Sequence, residues 1–190
     1  MMPSTISQPL SLNIPSALDA YQMSAATYIS LRPSEQLVGI LCASVIIHDG
    51  RVLLLQRAAH DDYPSLWEVP GGVAHDSETI IDCALRELWE ETGFQASAVT
   101  NLLGEFAYDD SSLPPKGSSD RGKWKIFVFR VIVDDKSSQP DVRLDPTEHT
   151  TYLWATEEEV KDDSCGSVKL DWISVNQKKA ILKAFKEAEH

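Results

Sequence analysis

Apolar and β-branched residues are concentrated in stretches that predict β-strands, and turn-forming residues separate these stretches. The first stretch, LVGILCASVII, covers residues 37–47, and a second, VLLLQR, begins at residue 52 after an Asp49-Gly50 pair. Because Asp-Gly between two apolar runs is typical of a tight hairpin, we expect the chain to turn back on itself here. Further strands are predicted at 104–108, 123–133 and 152–154.

Helical spacing of apolar residues appears between these strands. The pattern predicts a helix from about residue 78 to residue 92, and Gly93 follows it where a left-handed C-terminal cap is expected. The apolar face of this helix is formed by Ile80, Ile81, Ala84, Leu85 and Leu88.

Two further helices are indicated by their N-terminal signals. Thr156 precedes three glutamates, which favour the first turn of a helix. Ser174-x-x-Gln177 has the form of a capping box. The core stripe of this last helix consists of Ile181, Leu182 and Phe185.

The first 36 residues differ in composition from the rest of the chain. They are rich in Ser, Pro and Ala, with one weakly helical stretch from Ser16 to Tyr28 before Pro33. Since the residue before a proline is disfavoured in a helix, Pro33 closes this stretch. We predict a partly ordered N-terminal arm over residues 1–36 and one domain over residues 37–190. The arm is also where we expect a homodimer contact, if a dimer forms.

The 190-residue chain has an ordinary soluble composition, 43% hydrophobic and 24% charged, but its net charge is −12. Because such a surface repels a phosphate backbone, we exclude polymeric nucleic acid as the main partner. The apolar runs are too short to span a bilayer, and the N-terminus lacks a signal-peptide pattern. Three cysteines without a C-x-x-C motif indicate reduced thiols, so we expect a cytoplasmic protein with no membrane partner.

Three glutamates lie on one face of the helix predicted at 78–92. Glu87, Glu90 and Glu91 stand at positions i, i+3 and i+4, which brings their Cβ atoms to within about 5–6 Å of one another. Carboxylates this close repel each other unless a cation lies among them, and their hard oxygens suit Mg²⁺ or Mn²⁺. For this triplet alone, the alternative is an acidic face exposed to solvent.

The triplet belongs to a longer pattern that decides between these interpretations. GVAHDSETIIDCALRELWEETGF, residues 72–94, fits G-x5-E-x7-R-E-U-x-E-E-x-G-U at every position, where U is a bulky apolar residue. This segment, with the WEVPGG that leads into it, resembles the signature of the Nudix hydrolases. The resemblance implies an α/β fold, an α/β/α sandwich with a mixed β-sheet, and an enzyme that uses Mg²⁺ or Mn²⁺. Such enzymes cleave a diphosphate linkage, typically in a nucleoside diphosphate joined to another group, by attack of water at phosphorus.

The same resemblance assigns roles within the pattern. The metal ligands it implies are Glu87, Glu90, Glu91 and the carbonyl of Gly72. It implies that Arg86 and Glu78 orient these carboxylates, and a guanidinium at position 86 can also hold Glu90, one helical turn away.

Residues outside the pattern are expected to contact the substrate. Arg57 matches a position that grips phosphate in some Nudix enzymes, and the alternative is a surface arginine at a strand end. Trp67 flanks the site, with a core position as its alternative. Lys123 and Lys125 follow a long loop at 109–122, where we expect the far end of the substrate to bind unless the lysines are simply solvated.

The general base is expected outside the pattern as well, because Nudix enzymes often recruit a glutamate from a loop before a late strand. In this chain the candidate is Glu148, in DPTEHTTYLW. Asp145-Pro146 starts a turn, so Glu148 and His149 should lie on the loop between this turn and the following strand. His149 and the pattern's own Glu91 are the rival bases.

The sequence leaves three functions open. The first is a hydrolase of a small-molecule diphosphate, either a nucleotide or a non-nucleotide compound. The second is an isomerase of isoprenoid diphosphates, a chemistry that needs a cysteine shortly after Trp67, where this chain has Glu-Val-Pro-Gly-Gly. The third is a catalytically silent binding or regulatory module, although such modules normally lose carboxylates from the pattern and none is lost here.

Overall fold

The computed structural model describes residues 12–110, 122–133 and 140–188. Its strands are β1 (Leu37–Val45), β2 (Ile47–His48), β3 (Arg51–Arg57), β4 (Trp67–Glu68), β5 (Gly71–Val73), β6 (Ala96–Asp110), β7 (Gly122–Val133), β8 (His149–Thr156), β9 (Ser164–Cys165) and β10 (Val168–Lys169). Its helices are α1 (Ala25–Ser30), α2 (Ile80–Thr92), α3 (Glu157–Lys161) and α4 (Val175–Ala188). In these ranges, we find no helix with the length and apolarity needed to cross a membrane.

The first sheet is mixed, as the resemblance implied. Its strand order is β5-β1-β7-β6. The central pair, β1 and β7, runs parallel with Cys42 opposite Phe127, and the outer pairs are antiparallel. Most of the loop predicted at 109–122 lies outside the described residues.

The second sheet is built around β3, which pairs antiparallel with β2, β4 and β8. The predicted Asp-Gly hairpin is confirmed: Asp49 and Gly50 have φ values of 46° and 71°. Two successive positive φ values are what a primed two-residue turn requires. The apolar run at 37–47 is therefore two strands, with β1 in the first sheet and β2 in the second.

The side chains of β1 alternate between two hydrophobic cores. Ile40 and Cys42 belong to a core shared with α2, whereas Ala43 and Val45 belong to a core shared with α4. Because successive residues of a strand point to opposite faces, α2 and α4 must cover opposite sides of the first sheet. This arrangement is the predicted α/β/α sandwich.

Helix α2 begins and ends where local signals place it. Thr79 is the N-cap, and its hydroxyl accepts a hydrogen bond from the backbone N–H of Asp82 at 3.0 Å. Gly93 ends the helix with a φ of 76°, a left-handed cap as predicted. The helix starts two residues later than expected, because Glu78 belongs to the preceding loop.

The other two predicted caps differ in outcome. Thr156 and Glu159 form a complete capping box at the start of α3. At α4, the Ser174 hydroxyl accepts from the backbone N–H of Gln177 at 3.4 Å, but the Gln177 side chain does not close the box. Its Oε1 accepts instead from the buried N–H of Val69 at 3.2 Å, so the residue ties α4 to the segment between β4 and β5.

From residue 12 onward, the N-terminal arm packs into the first core. Leu18, Ala25 and Tyr28 are buried there. The ring of Tyr28 meets Phe127 edge-on at a centroid distance of 5.2 Å. These apolar side chains are used within the chain, and a homodimer through the arm stays a prediction.

Candidate active site

The three glutamates of α2 differ in exposure. Glu87 and Glu91 are buried, whereas 47% of the Glu90 side chain is exposed. The helical spacing places all three on one face of α2, and Glu87 and Glu91 face the protein interior.

Arg86 links this face to the loop before the helix. Its Nε donates to Glu78 Oε1 at 2.8 Å, and its Nη2 donates to Glu78 Oε2 at 3.1 Å. Its Nη1 lies 2.8 Å from Glu87 Oε1 and 2.8 Å from Glu90 Oε2. The hydrogen bond with Glu78 and the neighbouring carboxylates raise the pKa of Arg86, so it is a permanent cation among these acids. Arg86 thus joins Glu78 to Glu87 and Glu90, and the orienting role that the resemblance implies for Arg86 and Glu78 stays a prediction.

Burial dominates the electrostatics of the inner carboxylates. Desolvation raises the pKa of Glu91 well above its usual value, and the charges of Glu68 and Glu87 raise it further. Desolvation also raises the pKa of Glu87, although Arg86 opposes the shift. Glu91 Oε2 accepts a hydrogen bond from the N–H of Gly71 at 2.9 Å, which fixes its position. Two acids with raised pKa values side by side form a site that favours a bound cation.

Gly72 lies directly against the carboxylate of Glu87. A Cβ at position 72 would overlap the Oε1 atom of Glu87. A larger residue at this position would therefore displace the Glu87 carboxylate, whereas glycine lets the backbone of β5 approach it closely.

The donor chemistry of the cluster suits a hard divalent cation. As the side chains lie, no three Asp, Glu, His or Cys residues of the described ranges converge as ligands of one ion. Arg86 Nη1 stands between Glu87 and Glu90 instead. Two buried carboxylates with raised pKa values, the close approach of Gly72 and the half-exposed Glu90 nevertheless supply the oxygen donors that Mg²⁺ prefers.

Arg57 lies in a buried charge network beside the cluster. Its Nη1 donates to Glu68 Oε1 at 2.7 Å, and its Nη2 lies 3.0 Å from Asp61 Oδ2. Burial alone would lower the pKa of Arg57, but the two carboxylates raise it. His149 Nε2 also lies 3.2 Å from Glu68 Oε1. The arginine predicted to grip phosphate therefore has two acids as its immediate partners.

Glu68 and Asp61 were not predicted from the sequence. Glu68 directly precedes VPGG, so its place next to the pattern is the one signal that could have identified it. Asp61 stands in an acidic, polar stretch that looks like an ordinary surface loop, and only the fold shows that its side chain is buried.

A cavity of about 540 Å³ opens beside the acid cluster. Its lining includes the polar residues Arg57, Glu87 and Glu91 together with Gly72. It also includes apolar and aromatic residues, namely Tyr63, Phe106, Tyr108, Ile126 and Ile173. The hydroxyls of Tyr63 and Tyr108 are 2.7 Å apart, which holds two of these rings together. This volume is typical of small-molecule sites.

Three residues predicted as substrate contacts are absent from the described lining of this cavity. Trp67 is a core residue, 2% exposed, so its assignment is corrected. Lys125 Nζ lies 3.2 Å from Glu35 Oε2 and 2.6 Å from Glu105 Oε1, so it holds the arm to the sheet. Lys123 lies on β7 opposite Leu37.

Glu148 precedes β8 and lies beside the acid cluster. It lines the 540 Å³ cavity and a second one of about 460 Å³ that also contains Glu87, Glu90 and Glu91. Its charge contributes, as a minor cause, to the raised pKa of Glu87. His149 is not on the loop as predicted: it is the first residue of β8, and it is 3% exposed.

The comparisons with known proteins all point to one protein family. The family model described as the NUDIX domain matches residues 39–174. The m7GpppN-mRNA hydrolase NUDT17 of Bos taurus is 30% identical over 149 residues, which cover 73% of this chain and 47% of that protein. The RNA pyrophosphohydrolase of Agrobacterium fabrum is 31% identical over 118 residues, which cover 58% of this chain and 67% of that protein. The chain thus spans about half the length of the first of these relatives.

The fold is shared with solved structures of lower identity. The MutT protein from Methanosarcina mazei Go1 superimposes with a TM-score of 0.57 at 23% identity, over 80% of this chain and 94% of that one. This likeness establishes the architecture and is independent of the sequence pattern.

Proposed function

The chain belongs to the Nudix hydrolase family, and from that premise we propose that it is a Mg²⁺- or Mn²⁺-dependent hydrolase of diphosphate linkages. The proposed substrate is a small molecule in which a nucleoside diphosphate is joined to another group. One observation carries the proposal: the carboxylates and the aromatic residues line the same cavity. A diphosphate bound at the acids would place its attached group against the apolar and aromatic residues of the same cavity.

The charge of the cavity supports a metal requirement. Both arginines in its lining, Arg57 and Arg86, are paired with carboxylates, so neither supplies a spare positive charge. The whole chain carries −12. A diphosphate can enter such a site only if divalent cations reverse the local field.

The residues of the site have distinct roles in the proposed reaction. Glu87, Glu90 and Glu91 would hold the metal with the carbonyl of Gly72, while Arg86 keeps the carboxylates oriented. Bound Mg²⁺ supplies charge neutralisation at the phosphates and a lowered pKa for its water. Glu148 lines the same cavity as these carboxylates, and its carboxylate would accept the proton of the attacking water.

The test is phosphate release from a panel of diphosphates with Mg²⁺ or Mn²⁺. We expect Glu90→Gln to lower turnover about a thousandfold or more, because it removes a metal-binding charge without changing the shape of the side chain. Glu158→Gln, an exposed glutamate on α3, is the matched control and should keep wild-type turnover. Turnover of Glu90→Gln within tenfold of wild type would sink the metal-site assignment.

The same panel tests the substrate class. It should contain nucleoside triphosphates, nucleotide sugars, non-nucleotide diphosphates and a short RNA with an m7GpppN end, since relatives are named for activity on RNA. We expect the small nucleotides to be preferred, because the acidic surface repels a longer phosphate chain. Binding of these compounds without any hydrolysis would instead favour a silent binding module.

A further inference from the structure

The N-terminal arm, residues 12–36, is hydrogen-bonded to the loop that leads into α2. We call residues 74–79 the connecting loop. The N–H of Ala25 donates to the carbonyl of Glu78 at 2.9 Å, and the N–H of Ala26 donates to the carbonyl of Asp76 at 3.1 Å. In the other direction, the N–H of Ile80 donates to the carbonyl of Met23 at 3.2 Å. Three backbone hydrogen bonds thus join the arm to the start of the Nudix pattern.

These hydrogen bonds follow from the position of α1. Ala25 and Ala26 are its first two residues, and the N–H groups at a helix start have no partner within the helix. The carbonyls of the connecting loop satisfy them. Ser24 and Thr79 also form an antiparallel bridge, so the N-cap residues of α1 and α2 lie side by side.

The connecting loop in turn holds Arg86. Glu78 receives the arm's hydrogen bond at its carbonyl, and both of its carboxylate oxygens accept hydrogen bonds from Arg86. A bidentate pair of this kind fixes the direction of the guanidinium as well as its distance. The remaining Nη1 of Arg86 contacts Glu87 and Glu90. Two residues, Glu78 and Arg86, therefore connect the arm to two of the proposed metal ligands.

The arm is anchored firmly enough to transmit this constraint. Ala25 and Tyr28 are both 3% exposed, and the Tyr28 ring packs against Phe127 of β7. At the end of the arm, Glu35 pairs with Lys125 at 3.2 Å. A segment held at both ends by the sheet can fix the loop that it contacts.

We propose that residues 23–26 are positioning residues for the metal site, acting through Glu78 and Arg86 on Glu87 and Glu90. The inference rests on the proposed function, and it concerns a segment outside the residues 39–174 that match the family. In this proposal, the arm contributes to the affinity of the site for a cation.

Ala25→Pro tests the proposal at one hydrogen bond. Proline is tolerated at the first position of a helix, and Ser24 already has the extended conformation (φ −67°, ψ 153°) that precedes proline. The substitution removes the N–H and places the proline ring against the carbonyl of Glu78. We expect Mn²⁺ alone to bind about 10-fold or more weakly, the usual effect of losing a partner behind a metal ligand. Electron paramagnetic resonance of free Mn²⁺ in a titration measures this.

A control variant and a double mutant separate positioning from damage to the fold. Glu157→Pro puts proline at the same position of α3, away from the site, and should keep wild-type Mn²⁺ affinity. In a Glu78→Ala background, Ala25→Pro should have no further effect, because the link to Arg86 is already lost. Additive losses of affinity would mean that the arm acts through general stability, and would overturn the proposal.

Ser24→Ala provides a milder perturbation if Ala25→Pro folds poorly. It removes the hydroxyl that accepts from the N–H of Thr27 at 3.2 Å, and it should weaken Mn²⁺ binding by a smaller factor. At saturating Mn²⁺, kcat of both variants should return to within about threefold of wild type. If wild type binds Mn²⁺ and both variants bind it equally well, this inference fails alone. If wild type neither binds Mn²⁺ nor cleaves a diphosphate, the proposed function fails with it.

Discussion

The burial of two carboxylates is energetically costly at the scale of single residues. Glu87 and Glu91 are both desolvated, which raises the pKa of each. The charges of Glu68 and Glu87 raise the pKa of Glu91 further. An isolated buried charge is so unfavourable that a protein either neutralises it or binds a counterion. Burial of these carboxylates therefore lowers the stability of the cation-free protein and favours the binding of a cation.

Glu91→Gln should stabilise the cation-free protein, and more so at higher pH. Because the pKa of Glu91 is raised in the folded state from a reference value of 4.5, the folded protein retains a proton that the unfolded chain releases. The contribution of Glu91 to stability is complete below about pH 4.5, and it is lost as the pH rises toward the pKa of Glu91 in the folded state. Glutamine escapes this loss and can still accept from the Gly71 N–H. Melting curves in EDTA should show a larger gain in Tm at pH 7.5 than at pH 5.

If Glu91→Gln changed Tm equally at both pH values, the pKa of Glu91 would not be raised in the folded state. Glu158→Gln, at an exposed position, should show no comparable dependence on pH.

Glu148→Gln should lower turnover at least a hundredfold at saturating Mg²⁺ with substrate binding retained. Glu148 lines both cavities together with Glu87 and Glu91, which is the position the proposed base requires. The measurement is kcat and KM across pH. A variant that keeps the acidic limb of the rate profile and only weakens metal affinity would make Glu148 a ligand instead of the base.

At the scale of elements, what the sequence predicted well is what neighbouring residues determine. The bounds of α2 follow from Thr79, the apolar period and Gly93, which all act within the helix itself. The two-residue strands β4, β9 and β10 are too short to carry a period, and they exist because a partner strand pairs with them. The cluster of Glu87, Glu90 and Glu91 was predictable because it depends on residue spacing within one helix. The burial of Asp61 and Glu68 depends instead on chain segments that are distant in sequence.

Gln177 shows how a local signal can be redirected by a tertiary contact. Its side chain accepts from the buried N–H of Val69 instead of completing a capping box. Gln177→Ala should cost about 1–3 kcal/mol, because a buried backbone donor loses its partner. Asn176→Ala, an exposed amide on the same turn, is the control and should cost less than about 0.5 kcal/mol. Urea unfolding gives both values, and equal losses would mean that the contact with Val69 contributes nothing.

At the scale of the whole molecule, the packing of the fold does not depend on the candidate site. Both hydrophobic cores are complete on either side of the first sheet, and neither needs a cation to hold its elements together. The three carboxylates proposed to bind the metal belong to a single helix, α2. We therefore expect a metal in this position to serve catalysis, unlike a structural ion that joins elements otherwise unable to pack.

Chelation should lower the melting temperature only modestly, and this final expectation follows from that architecture. A ligand at 100 times its Kd stabilises a protein by about 2.7 kcal/mol, and 1 kcal/mol shifts Tm by about 2–4 °C for a chain of this size. Adding Mg²⁺ at that excess should thus raise Tm by about 5–11 °C over the value in EDTA. Glu90→Gln should lose most of this shift, because one of the three carboxylates is gone, whereas Glu158→Gln should keep it. Complete unfolding in EDTA would mean that the metal is structural, and an unchanged Tm in wild type would mean that these acids bind no metal.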